Sequence, residues 1–257
     1  MSEAGVVARQ LQYEQRNFWR NPVSAFFAFL FPIIFLVVFA TLFRNTTAKI
    51  GRATVAYDDY YIPALTAFGV IGACYTNIAS SISIRRDSGV LKRLRGTPLP
   101  PWAFMLGLVG SSIIVALLLA AVTVTFGIAV YGVHVPQHIA AVAVTLAVGA
   151  IVFCALGLAM TVVIPNAEAA PAIVNAVLFP LVFISGTFFP IDQSSVLAKI
   201  ASYFPVRHFI SAMFNAFDPS HLSSTGFSGN DLLVMLAWGA AALLIAVRRF
   251  RWEPRPA

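Results

Sequence analysis

Charge is scarce in this chain. Only 11% of its 257 residues are Asp, Glu, Lys or Arg, and 59% are hydrophobic. Water-soluble domains carry about 25% charged and about 45–50% apolar residues, so an ordinary soluble domain is excluded. Cysteine is nearly missing. Cys74 and Cys154 both fall inside apolar runs, which leaves no disulfide framework and no Cys-based metal cluster; they read as small buried side chains. No Gly-x-x-x-x-Gly-Lys-Ser/Thr occurs, so the chain lacks a P-loop for ATP. His-Glu-x-x-His, Gly-x-Ser-x-Gly and carboxylate pairs at helical spacing within the apolar runs are also missing, and with them the common hydrolytic sites. Buried carboxylates, the usual coupling groups of ion-driven carriers, are almost missing too. Glu168 is the single charged residue close to an apolar run that is not plainly interfacial. It reads as a helix-end carboxylate favoured by the positive N-terminal dipole. His134, His138, His208 and His221 all lie between apolar runs and read as interfacial. Pro136 disfavours a shared helical face for the first two.

What the chain has instead is length of apolar sequence, with a mean hydropathy of +0.84. About 20 helical residues cross a hydrocarbon core of about 30 Å. Six runs meet or approach that need: 23–43, 61–84, 104–131, 139–164, 169–184 and 232–247. Residues 1–22 lack spanning hydrophobicity, and Glu3, Arg9, Glu14, Arg16 and Arg20 interrupt them. They predict a helix lying in the interface, anchored by Trp19, rather than a secretory signal. Asn21-Pro22 then starts the first span. Residues 44–60 read as a polar loop. The 185–229 region is too polar to span and too rich in Phe, Tyr and Ile for an ordinary loop. It predicts one or two short helices dipping into the outer interface. The expected architecture is all-α and integral to the membrane, with a 251–257 tail.

Charge placement orients the six spans. Twelve of the 17 Lys and Arg residues fall on the side of the termini; Arg44, Lys49, Arg52, Lys199 and Arg207 fall on the other. The acidic residues divide five and five. The positive-inside bias predicts cytoplasmic termini. Topology and anionic lipid headgroups thus account for the basic balance, and nucleic acid is not needed as a partner.

The densest basic stretch is 84–101, which holds Arg85, Arg86, Lys92, Arg93 and Arg95. Residues 87–95 suit a short helix with Val90, Leu91 and Leu94 on one side, closed by Thr97-Pro98-Leu99-Pro100-Pro101. A topology-setting loop would explain the charge alone. The apolar stripe and stiff exit point further, to a docking segment.

The stretch from Arg85 to Pro100 closely resembles the cytoplasmic loop of ABC type-2 permeases. Phe179-Pro180-Leu181-Val182-Phe183-Ile184-Ser185-Gly186-Thr187-Phe188-Phe189-Pro190 and Tyr203-Phe204-Pro205-Val206-Arg207-His208 resemble that family's fifth-span exit and extracellular re-entrant helices. The resemblance covers nearly the whole chain. It implies the fold of the G-type ABC exporters: six spans, an N-terminal interfacial helix, a cytoplasmic coupling helix and short extracellular re-entrant helices. It implies a permease with no catalytic residues, no metal and no cofactor of its own, working with two copies of a separate P-loop ATPase that binds ATP and Mg. It also implies a second permease copy as homodimer partner. Arg85, Arg86, Asp87, Gly89, Leu91, Arg93 and Leu94 would couple to the ATPase, with Arg16, Phe18 and Trp19 as a second contact. A path would run along the second and fifth spans. Tyr75, Asn77 and Ser81 on one, and Asn175, Phe179 and Phe183 on the other, are its candidate lining; helix packing alone would also explain them. The implied role is export of a drug or other amphipathic small molecule from a bacterial cell, as in multidrug efflux and antibiotic resistance. A lipid or lipid-linked glycan as cargo stays open. So do, in other classes, a lipid-modifying membrane enzyme and an ion-coupled carrier.

Overall fold

The structure, a computed structural model, describes residues 3–43, 46–50, 53–191, 195–218, 225–250 and 252–253. Arg44, Arg52, His221, Arg251 and Arg255 lie outside the described residues. The chain runs as α1 (Glu3–Trp19), α2 (Pro22–Leu42), a hairpin of β1 (Thr47–Ile50) and β2 (Ala53–Ala56), and α3 (Tyr57–Ile71). A π-helical turn (Gly72–Thr76) follows, then α4 (Asn77–Asp87), α5 (Val90–Arg95), α6 (Pro101–Tyr131), α7 (Ile139–Met160) and α8 (Ala170–Ile184). It ends with α9 (Val196–Ala201), α10 (Pro205–Phe217) and α11 (Gly229–Arg249). Among the described residues, five helical stretches are long and apolar enough to cross a membrane: 25–42, 59–87, 101–131, 139–160 and 229–249. α8 is apolar but has 15 residues, about 22 Å. The protein is an all-α integral membrane protein.

Local chemistry explains the element ends. Pro22 and Pro101 begin α2 and α6, where a missing N–H costs nothing. Gly132 closes α6 at φ 65°, a left-handed geometry that suits glycine. The hairpin replaces the polar loop expected over 44–60. Its strands pair antiparallel, Thr47 with Ala56 and Ile50 with Ala53. α3 follows directly, so the second span begins at 57–59 instead of 61.

The core gathers around 59–87, the most deeply buried of the spans. Glycines let helices approach it and each other. A Cβ on Gly127 would strike Ile62, and one on Gly157 would sit 2.7 Å from the Tyr75 carbonyl. α10 is buried on nearly every face, with Val206, Phe209, Ile210, Met213 and Phe217 all in the core. The Phe209 ring fills the space that a Gly149 side chain would need. The turn into α10 lies beside Trp238, whose indole donates to the Tyr203 carbonyl at 2.9 Å. Trp238 is nine residues into α11, so α10 starts against the first half of that helix. Its other end returns to the start of α7, where Asp218 meets His138 at 3.9 Å. The turn after α8 is tied to the bundle: Tyr60 donates to the Gly186 carbonyl, Tyr61 to Phe188 O at 3.1 Å and Arg207 to Ser185 O at 2.9 Å.

Candidate functional site: a clamped basic segment beneath a divided path

Three consecutive residues at the end of α4 hold three different parts of the molecule. Arg85 forms a two-pronged pair with Glu14 of α1, at 2.7 and 2.5 Å. Glu14 is only 3% exposed and also accepts from Gln10 at 2.8 Å. The Arg85 guanidinium lies 5.4 Å from the centre of the Phe104 ring on α6, a favourable cation–π position. Arg86 is 2% exposed. It donates to the carbonyls of Thr161 at 2.9 Å, Ile164 at 2.8 Å and Pro165 at 3.3 Å. These follow the end of α7, where helix carbonyls lack partners and negative partial charge collects. Asp87 accepts from the Ala167 backbone N–H at 2.5 Å. α1 is further fixed on α6 by Gln15, which donates to the Ser111 carbonyl and hydroxyl, both at 3.1 Å.

The chain then turns sharply. Gly89 stands at φ 70° before α5, a conformation costly to residues with a Cβ. α5 is amphipathic as expected, but its apolar side faces inward. Leu91 is fully buried and Leu94 packs against the core. Ser88, Lys92, Arg93, Arg95, Thr97 and Pro98 face out. Thr97 donates to the Leu94 carbonyl at 2.7 Å, which closes α5 before the prolines. Five of the expected docking residues are thus engaged within the chain itself. Arg86 and Leu91 are enclosed, Leu94 packs on the core, and Arg85 and Asp87 bond to Glu14 and Ala167. The outward surface is a rigid basic knob centred on Lys92, Arg93 and Arg95. Trp19 stacks on Phe29 with ring centres 5.9 Å apart and donates to Gln15 at 3.1 Å; Arg16 is exposed on the same helix.

Above the segment, the path candidates separate into two groups. A cavity of about 460 Å³ between α2, the π turn, α6 and α8 is lined by Asn77, Asn175 and Phe179, with Phe18, Phe31 and Thr76. Asn77 donates to the Ser112 hydroxyl at 3.1 Å and accepts from Ser81 at 3.3 Å. Tyr75 lines a different cavity, of about 310 Å³, between α7, α8 and α11. The reason is angular. Residues two apart on a helix point about 200° apart, whereas residues four apart share a face. Asn77 and Ser81 can work together; Tyr75 and Asn77 cannot. Phe183 lies beyond, half-exposed, with its ring centre 5.0 Å from that of Phe188. Leu178 contributes to both cavities, so the partition is one side chain thick at that point.

His208 departs from the interfacial reading. It is buried in α10, with Nδ1 2.6 Å from Asp231 and Nε2 2.7 Å from the Ser202 carbonyl. It pins the re-entrant helix to the start of α11. Among the described residues, no group of three His, Cys, Asp or Glu side chains could hold a metal ion.

The clamped segment, the lining of the larger cavity and α10 all lie within one stretch of chain. The model of the family described as ABC-2 type transporter matches residues 7–217. The chain belongs to the ABC-2 type transporter family. No curated protein matches it. As an ABC-2 membrane domain it is a permease subunit of an ABC transporter, a multi-pass membrane component without ATPase motifs. Such a permease works with an ABC ATPase subunit. One member of the clamp was hidden from sequence reasoning: Glu14, the partner of Arg85, looked like one more charge in an interfacial helix.

Proposed function

We propose that this permease exports a drug or other amphipathic small molecule from a bacterial cell. A second copy of itself and two copies of a separate ATPase complete the machine. The observation that carries this reading is the mechanical continuity of 57–95. The outward basic knob is joined through the bent Gly89 turn to α4, and α4 continues through the π turn into the wall of the larger cavity. π-helical turns inside α-helices mark places where a helix is locally strained and often functional. ATP-driven closure of the partner would push Lys92, Arg93 and Arg95. The Arg85–Glu14 pair and the Arg86 and Asp87 contacts would carry that push to α1, α6 and the α7–α8 turn together. The two cavity states would then be stabilised differently by ATP. The positive-inside bias supports a cytoplasmic position for the knob and both termini.

The cavity supports an amphipathic cargo. Its described lining combines aromatic rings with the amides of Asn77 and Asn175. Rings and amides bind flat or cationic-aromatic molecules without the cost of a buried charge. Cargo of the lipid or lipid-linked glycan kind is the second outcome of the same test. Vesicles containing permease and ATPase are loaded with ATP on the knob side, and uptake of cationic dyes is compared with that of labelled lipids. Dye transport that needs ATP and falls in the Asn77→Ala, Asn175→Ala double variant supports the reading. Lipid movement alone, or transport indifferent to ATP, refutes it. Changing Lys92 and Arg93 to Asp should uncouple ATP hydrolysis from transport while leaving Leu91 and Leu94 packed.

A further inference from the structure

The second cavity is built unlike the first. It is a groove running lengthwise along α7 and α11, from Phe153 to Val163 on one side and from Trp238 to Ile245 on the other. Seven residues of helical rise on either side, Phe153 to Met160 and Trp238 to Ile245, make it about 10 Å long, a third of a hydrocarbon core of about 30 Å. Phe204, in the turn before α10, roofs it and stacks on Trp238 with ring centres 6.1 Å apart. Among its lining side chains only Tyr75 and Trp238 carry nitrogen or oxygen. The Trp238 N–H is already given to Tyr203, so that ring offers only its apolar face. Val163 and Ile245 are 61% and 48% exposed on the outside of the bundle, so the groove opens toward lipid.

Its lower end has a charge signature. α11 presents Trp238, Ala241, Ala242 and Ile245 to the groove, spaced three and four apart as one helical face. The next positions on that face are Arg248 and Arg249, both exposed in the last turn of α11. The apolar trough thus ends at two exposed cations. Glu168 stands exposed on the α7–α8 connection of the same rim, which leaves the described rim with a positive excess.

We propose that this groove holds one acyl chain of an anionic phospholipid from the leaflet on the basic side, with its phosphate on Arg248 and Arg249. A lining with almost no polar atoms, open to lipid, fits an acyl chain better than a drug that carries polar groups. The arginine pair selects a phosphate-bearing anion over a neutral headgroup. The bound chain would brace the re-entrant turn from below, and it is held apart from the larger cavity by Leu178. This site is independent of which molecule the permease transports.

The test uses the full-length chain in nanodiscs. Trp19, Trp102 and Trp252 are changed to Phe, and the fluorescence of Trp238 is read against brominated phosphatidylglycerol or brominated phosphatidylcholine. The parent chain and its Trp238→Phe variant provide the same difference if the single-tryptophan variant folds poorly. The expected result is stronger quenching by phosphatidylglycerol at equal mole fraction. The mole fraction for half-maximal quenching should rise about fivefold for each of Arg248→Gln and Arg249→Gln. Ala159→Phe, which fills the groove, should abolish the excess. Equal quenching by the two lipids would mean annular contact only and would overturn the proposal. So would an excess that survives Ala159→Phe, or one displaced by a transported dye, which would make the groove a cargo site.

Discussion

Replacing Glu14 with Ala should loosen the whole basic side of the molecule. The pair it forms with Arg85 is two-pronged and short, and Glu14 is enclosed between α1, α4 and α6. Two unit charges about 4 Å apart at an effective dielectric constant of 20 attract by about 4 kcal/mol. Removing one partner of a buried pair costs about 3–5 kcal/mol, because the other is left uncompensated. Arg85 keeps the Phe104 ring and some access to the interface, which puts the expected loss at the lower end, about 3 kcal/mol. At about 2–4 °C per kcal/mol for a chain of this size, the midpoint of thermal unfolding in detergent should fall by about 6–12 °C. The double variant Glu14→Ala, Arg85→Leu should recover much of that loss, since both desolvation costs disappear together. It should still hydrolyse ATP with its partner yet transport poorly, because α1 would no longer move with α4. Single and double losses that add to within about 0.5 kcal/mol would show that the two residues do not interact. A double variant that transports normally would refute the mechanical role given to the clamp.

Three other outcomes follow from particular contacts. Arg86→Lys keeps the charge but cannot reach the spread carbonyls of Thr161, Ile164 and Pro165 at once; a loss of about 1–3 kcal/mol and faster proteolysis of the α7–α8 connection are expected. Gly89→Ala imposes a left-handed backbone on a residue with a Cβ and should cost about 1–2 kcal/mol, with cargo-stimulated ATPase activity reduced and Gly89→Asn milder. Gly149→Ala drives a methyl into the Phe209 ring and should lower stability by about 1–3 kcal/mol; an unchanged melting curve would mean that α10 does not re-enter beside α7.

The spans were legible because hydrocarbon demands a single property, sustained apolarity, and leaves it in the sequence as uninterrupted runs. The proline start of α2 was legible for a similar reason: it is local. The hairpin could have been found too, since Thr-Ala-Lys-Ile and Ala-Thr-Val-Ala flank a Gly-containing dipeptide; the polarity of the loop hid it. The direction in which Leu91 and Arg86 point could not have been read. A stripe on a six-residue helix shows that two faces differ and is silent on which one the protein covers. For Arg85 and Arg86 the covering elements are α1, about 70 residues earlier, and the 161–167 turn, about 75 residues later.

The amino-acid sequence by itself therefore determined the solvent this chain lives in, the number and rough limits of its apolar runs, and the basic stretch between two of them. Those follow from transfer free energies summed over neighbours in the chain. Tertiary structure alone decided which charges are spent inside the molecule and which remain for a partner, and which helical faces join to make a cavity. Those outcomes depend on which helices meet: Glu14 finds Arg85, Asn77 and Asn175 share one chamber while Tyr75 turns to another, and α10 folds back to roof the groove beside α11.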